Sequence, residues 1–450
     1  MARLTSIGNA TVLVYDDHPI LATDPWFGGE DTAYFGSWNL SHELPSQQQS
    51  DILKSKYIWF SHGHPDHLNP SSLNRLRGKH ILLPDHVGAR IATSLMGDSF
   101  EITILPDRQW LDLSPNVKIM CITTHTQDAV LLIGINDRLF LNLNDAGSRH
   151  CTRFIRRICE EFSFTYLMAL SGYGDADMIN FFDESGNCIV PPAKNNTFVG
   201  EQLGHLAKSL NADAVIPFSS FHQYQRTDSL WAQEYVTPLH AYQEGFPGDI
   251  EFIPPFVDIE CPSGSYTELS PRRLEVSPKS PEIYGDNWSD ELEIEDRRIL
   301  DEYFLRKESI QSRIGYINVI VGGKMHTICI NRNSKKGVSF EVPRHSLMTA
   351  IQLEIFDDLF IGNFMKTTLH NMRTLYDNDF AFYLGKYADN GRVQTELEVQ
   401  EYLKEYRRRA GREYIYETFL DYSKLFVNRL LTNKGSKTRR RMRSIYYRLR

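Results

Sequence analysis

The sequence predicts an α+β fold, with a layered domain over residues 1–270 and a mixed, mostly helical region over residues 291–432. Three observations predict it. Short apolar runs alternate with loops and helix-forming stretches through the first 270 residues. Near residues 262–290 the composition turns to Pro, Ser and charge, and SPRRLEVSPKSPEIYGDNWSDE marks a linker or surface excursion assigned to 271–290. Beyond it strand signals thin out and helix formers dominate. At 450 residues the chain has room for two or three domains and a substantial core.

Taken in order, residues 11–15 and 19–22 form a hairpin-like pair around the polar turn Asp16-Asp17. Residues 57–60, Tyr-Ile-Trp-Phe, form a short buried strand that ends abruptly in SHGHPDH. Residues 70–77 have helical composition, and the pair Ser71-Ser72 suits its N-terminus. Further strands are expected at 80–83, 102–105, 117–122, 129–135 and 139–142, then a helix at 200–210 and a strand at 214–217. After the linker come a helix at 291–306, strands at 316–321 and 326–331, and helices at 397–409 and 414–431. Val342-Pro343-Arg344-His345 opens another helix, in which His345 is read as structural. Residues 433–450 form a basic tail whose run KGSKTRRRMRSIYYRLR carries no acid. It reads as a solvated end, and less readily as a patch for an acidic partner or a membrane surface.

Composition narrows the function. A net charge of −8 gives no electrostatic bias toward nucleic acid or anionic membrane. No window approaches the roughly 18 apolar residues of a membrane span, and MARLTSIGNATVLVYDD is too polar for a signal peptide. Cys121, Cys151, Cys159, Cys188, Cys261 and Cys329 form no CxxC pair. That argues against a disulfide framework, a zinc knuckle or a Cys-ligated iron–sulfur cluster, and for reduced thiols in a cytoplasmic protein.

Four ligand-type residues fall within six positions: His62, His64, Asp66 and His67. On an extended strand end His62 and His64 point the same way. A turn at Pro65 then brings Asp66 and His67 back toward the same point. Such a loop serves two adjacent metal ions, and imidazole with carboxylate suits Zn or Fe better than calcium or magnesium. Asp24, in LATDPWF, can orient a ligating imidazole through its free N–H, or act as a plain turn-former. His125, in CITTHTQDAVLL, is the choice for the third histidine of the first metal. Asp145, in LFLNLNDAG, can bridge ions about 3.5–4 Å apart. His222, in VIPFSSFHQY, is the candidate last ligand, with a surface or core histidine as the alternative.

These motifs carry a resemblance. SHGHPDH resembles the signature loop of the metallo-β-lactamase superfamily, and LATDPWF looks like the strand-turn its members carry near the N-terminus. Within that superfamily the chain is similar to CMP-N-acetylneuraminate hydroxylases in the spacing from DPWF to SHGHPDH. LNLNDAGSR, PFSSF and PRHSLMTAIQLEIFDDLFIGNF add to the likeness, which spans most of the chain. The resemblance implies a four-layer αβ/βα fold with the site at one edge of two facing sheets. It implies metal ligands at His62, His64, Asp66, His67, His125 and Asp145. Two departures stand out: those hydroxylases carry an N-terminal Rieske domain, whereas here no Cys-x-His motif precedes this part, and the region around His222 does not match residue for residue.

Two chemistries follow from two metal ions, Fe or Zn. The first, slightly favoured, is oxygenation by an iron-dependent oxidoreductase, with electrons from a separate donor or from the substrate. The second is zinc-dependent hydrolysis of a phosphoester, lactone or amide, with Asp66 or Asp145 holding the water and His222 stabilising developing charge. A non-catalytic metal-binding scaffold is the third reading, disfavoured because structural sites are closed and often thiolate-rich. The substrate expected is a small molecule, with a sugar nucleotide suggested by resemblance alone. SGYGDADMINFFDESG is a candidate substrate-contacting loop or a solvated one.

Overall fold

The runs TVLVYD and HPILAT pair as strands Thr11–Asp16 and His18–Thr23, and Asp17 takes the left-handed conformation (φ 61°) that so tight a turn needs. In this computed structural model, residues 2–97, 100–170, 179–190, 198–374 and 379–420 are described. The hairpin lies in an eight-stranded sheet ordered Tyr266–Glu268, Val257–Glu260, Ala2–Ile7, Thr11–Asp16, His18–Thr23, Tyr57–Trp59, His80–Pro84 and Glu101–Leu105. From His18–Thr23 to Glu101–Leu105 the pairing is parallel. A second, seven-stranded sheet runs Glu251–Phe252, Ala214–Phe218, Phe164–Leu170, Arg138–Asn144, Ala129–Ile135, Val117–Thr123 and Trp110–Ser114.

The alternation of side chains along each strand sorts the core into layers. Val12, Val14, Leu21, Trp59 and Leu82 of the first sheet meet Ile119, Leu131, Ile133, Met168 and Ile216 of the second. The intervening residues, such as Leu13, Ala22, Ile58 and Ile81, point outward to helices α1 (Ser46–Lys54), α2 (Pro70–Asn74) and α3 (Arg90–Leu95). On the other sheet Leu139, Leu141, Leu167 and Val215 pack against α4 (Thr152–Cys159) and α5 (Val199–Leu210). The result is the four-layer αβ/βα arrangement expected. Strands covered on both faces are buried almost throughout, as AVLLIGI and RLFLNLN are, and the first reads as an unbroken apolar run. Asn69, rather than the serine pair, caps α2: its side chain accepts from Ser71 N and Ser72 N.

The stretch 271–290 crosses the surface with one short 3₁₀ helix, Pro281–Tyr284, and is pinned along its length. Backbone bonds tie it to Glu43, Ser41 and Gln225, and buried Asp286 pairs with Arg226 at 2.8 Å. Beyond it a five-stranded sheet forms from Phe181–Phe182, Lys366–His370, Gly337–Glu341, Tyr316–Val321 and Lys324–Cys329. Helices α6 (Ile294–Leu305), α7 (Arg344–Leu353) and α8 (Phe356–Ile361) pack on it. Two of these strands, Gly337–Glu341 and Lys366–His370, lie where the sequence pattern assigns no element in a mostly helical region, and the 326–331 strand is shifted to Lys324–Cys329. A π-helical segment, Phe382–Asn390, leads to α9 (Glu396–Ala410), whose N-terminus has a Thr395–Glu398 capping box.

Residues 171–178 of the candidate loop, the end of the expected 414–431 helix, and the 433–450 tail lie outside the described residues. Among those described, no helix is long and apolar enough to cross a membrane. All six cysteines are unpaired.

Candidate metal centre

Parallel strands of the two sheets present their carboxyl ends at one edge, the usual place for a site in α/β architectures. Asp24 follows His18–Thr23, Ser61 to His67 follow Tyr57–Trp59, Asp145 follows Arg138–Asn144, and Ser219 to His222 follow Ala214–Phe218. Four loops from two sheets therefore meet there. His62 Nε2 lies 3.0 Å from His64 Nδ1 and 3.7 Å from Asp145 Oδ2. His67 Nε2 lies 3.3 Å from the same Asp145 oxygen and 3.5 Å from Asp66 Oδ2. Two triads result, His62/His64/Asp145 and Asp66/His67/Asp145, each with ligand atoms within 4.8 Å of one another. They share one carboxylate.

Neighbours fix each donor. Asp24, fully buried with φ 38°, accepts from Ser61 N and Ser61 Oγ at 2.7 Å each and faces His67 Nδ1 at 3.0 Å. That holds the His67 ring with Nε2 turned into the centre. Tyr34 OH donates to Asp66 Oδ1 at 2.6 Å, and Asn9 Nδ2 donates to Asp66 Oδ2 at 3.0 Å. Ser219 Oγ donates to Asp145 Oδ1. His222 stacks on Trp38 with ring centroids 3.5 Å apart, and both of its buried ring nitrogens lack a hydrogen-bond partner.

The electrostatics follow from crowding these groups out of water. Burial, reinforced by His67 and His64, pushes His62 well below the ordinary histidine range. Burial pulls His67 the same way, but the Asp145, Asp66 and Asp24 carboxylates outweigh it and hold His67 well above that range. Burial raises Asp66 despite His67, whereas at Asp145 the burial penalty is overcome by the charge and hydrogen bond of His67, leaving it lowered. Burial brings His222 down to about 3, so it is neutral at physiological pH. Imidazoles and carboxylates without thiolate are a donor set for iron or zinc. The orphaned nitrogens of His222 fit the same group, because a buried imidazole without any partner is otherwise costly.

Of the residues singled out from sequence, His62, His64, Asp66, His67 and Asp145 come together, and Asp24 lies behind them. His222 interacts electrostatically with Asp145 without joining either triad. The structure does not bring His125 into them. Its ring sits 6.2 Å from His150 and 6.4 Å from Tyr387, and its carbonyl accepts from Tyr402 OH. A turn over 124–128, with Gln127 left-handed at φ 65°, leaves the ring near residues of the C-terminal region. Sequence reasoning passed over Asp357 and Asp358 at the start of α8, which form a third group with His64. The available signal was two adjacent acids in the apolar run EIFDDLF, since buried carboxylates need partners. Lys386 was also passed over; its Nζ lies 3.4 Å from His64 Nε2.

Layers, loop placement and the SHGHPDH donors together define the metallo-β-lactamase fold, and the chain has it. More particularly, it is 22% identical over 305 residues to the cytidine monophosphate-N-acetylneuraminic acid hydroxylase of Pongo pygmaeus, a match covering 64% of this chain and 52% of the relative. The match to the inactive cytidine monophosphate-N-acetylneuraminic acid hydroxylase of Homo sapiens, 27% identical over 139 residues, covers 29% of this chain and 26% of that protein. The chain thus matches about half or less of the length of these relatives. No family profile matches. Among solved structures, an isothiocyanate hydrolase from Delia radicum gut bacteria is 14% identical with a TM-score of 0.39, covering 57% of this chain and 98% of that one. A CmlA β-hydroxylase variant is 13% identical with a TM-score of 0.36, covering 58% of this chain and 54% of that one.

Proposed function

We propose that the protein is a dinuclear-metal enzyme, an iron-dependent oxygenase or hydroxylase-like oxidoreductase acting on a small molecule. The observation that carries this reading is the pair of His/Asp triads meeting on Asp145. His62 and His64 would hold one ion and Asp66 and His67 the other, with Asp145 common to both groups and His222 the candidate last ligand. Bound there, two irons would supply activation of O₂ and two zincs an activated water. The likeness to a hydroxylase over 305 residues favours iron. Electrons then come from a separate donor or from the substrate.

The chain's own groups do the rest. Asp24 and Ser61 fix His67, while Tyr34 and Asn9 keep both Asp66 oxygens oriented. A cleft of ≈ 100 Å³ opens on His62 and His64 and is lined by Leu68, Ile91 and Leu95 and by Arg90, Lys386 and Asp128. The two cations suit an anionic small molecule such as a sugar nucleotide. The alternative, zinc-dependent hydrolysis of a phosphoester, lactone or amide, is favoured by Asp66 and Asp145 facing one another across His67. Either carboxylate can take the proton of a water held there.

Elemental analysis of anaerobically purified protein tests the reading, with His64→Ala alongside. About two irons per chain, reduced in the variant, together with substrate-dependent O₂ consumption, is the expected result. Zinc with anaerobic activity would establish hydrolysis, and no stoichiometric metal would overturn the dinuclear centre.

A further inference from the structure

We propose that Asp357 of α8 is the positioning residue for His64, so that the region following the surface excursion is a working part of the metal centre. The inference rests on the dinuclear reading above. His64 turns Nδ1 toward His62 Nε2, at 3.0 Å, on the side where Asp145 lies. Its other nitrogen, Nε2, faces Asp357 Oδ2 at 3.2 Å, closer than Lys386 Nζ at 3.4 Å, and the side chains of His64 and Asp357 are about nine-tenths buried. A neutral imidazole has one N–H, and the nitrogen that ligates a metal must be the other one. A carboxylate accepting from Nε2–H therefore selects the tautomer that leaves Nδ1 open.

The same relation exists across the site with the ring reversed. His67 presents Nε2 inward while its Nδ1 is held by Asp24. Each ion position thus has a histidine locked from behind by its own carboxylate, one from a strand end and one from α8, 293 positions along the chain from His64.

Asp357 is itself fixed. Asn390 Nδ2 donates to the same oxygen at 3.1 Å, and Lys386 Nζ stands 3.8 Å from it. Gly385 lets the 382–390 segment approach, since a Cβ there would lie 3.2 Å from Asp357 Cβ. Arg90 adds positive charge nearby. Its neighbour Asp358 is buried beside it, and the two acids face His64 together.

The test titrates Co²⁺ into the full metal-free chain against a chelator, following the visible spectrum, for wild type, Asp357→Asn and Asp357→Glu. Expected for Asp357→Asn are a 10–100-fold loss of affinity at one ion position and a shifted cobalt spectrum. Thermal unfolding of the metal-free variant should stay near wild type, and Asp357→Glu should recover much of the affinity. Asp357→Ser serves in its place if Asp357→Asn does not accumulate. Wild-type affinity and spectrum in Asp357→Asn would overturn the proposal. So would loss of only a third Co²⁺, held by His64, Asp357 and Asp358, with the first two unaffected. A wild-type chain that binds no Co²⁺ would sink the dinuclear reading instead.

Discussion

Asp24 touches no substrate, yet its buried carboxylate sets which nitrogen of His67 faces the centre. Asp24→Asn should weaken binding of one ion by 10–100-fold, measured by chelator competition. His86 offers a different check. Burial lowers it to about 4, so the folded chain keeps it neutral while the unfolded chain protonates it below about 6.5. The unfolded state then binds the extra proton, and the His86 contribution is present above pH 6.5 and lost as pH falls toward 4. Urea midpoints of the metal-free protein should fall over that window, less steeply in His86→Gln. At this scale the sequence showed donors that are neighbours along the chain, because four ligand types in six positions leave few alternatives. Asp145 was visible as a strand-end carboxylate before small residues. His125 looked equivalent, but the turn conformation that decides where its ring goes leaves no mark in the residue types. Asp357 pairs with a histidine 293 positions away, and no local pattern records that.

Elements were legible where packing makes the pattern. The doubly covered strand 129–135 announced itself as an unbroken apolar run, and 117–123 and 138–144 as mostly apolar ones. Gly337–Glu341 and Lys366–His370 did not, being short strands whose partners lie elsewhere in the sequence. Between elements, the buried pair of Lys307 Nζ and Asp389 Oδ1, 2.6 Å apart and without solvent exposure, joins the turn after α6 to the 382–390 segment. Tyr303 OH donates to the other Asp389 oxygen at 2.6 Å. Removing one partner strands a charge in the interior, so Asp389→Ala should cost about 3–5 kcal/mol in chemical denaturation. Replacing both with apolar residues should cost much less.

For the molecule as a whole, a layered α/β domain was predictable because a helix or a sheet must bury one apolar face against another element, whereas the four layers were expected from the family resemblance. The five-stranded sheet was not, since Phe181–Phe182, from the middle of the first 270 residues, forms its edge. The two halves of the sequence are therefore interleaved, and α8 brings Asp357 to His64. Metal that binds only the folded state stabilises it by mass action. Adding Fe²⁺ or Zn²⁺ should therefore raise Tm and slow amide hydrogen exchange in 356–361 and 382–390 as well as in 61–67. Protection confined to 61–67 would show that the C-terminal segments respond to no ion.

The His64–Asp357 contact also has a bearing on biosynthesis. At about 5–20 residues per second, His64 leaves the ribosome on the order of 15–60 s before Asp357 does. Through that interval the nascent chain can fold its first strands with His64 free to adopt either tautomer. Loading of the centre would then be a late event, completed only when α8 docks, and a chain stalled before residue 357 would carry the ligand loop without the carboxylate that aims it.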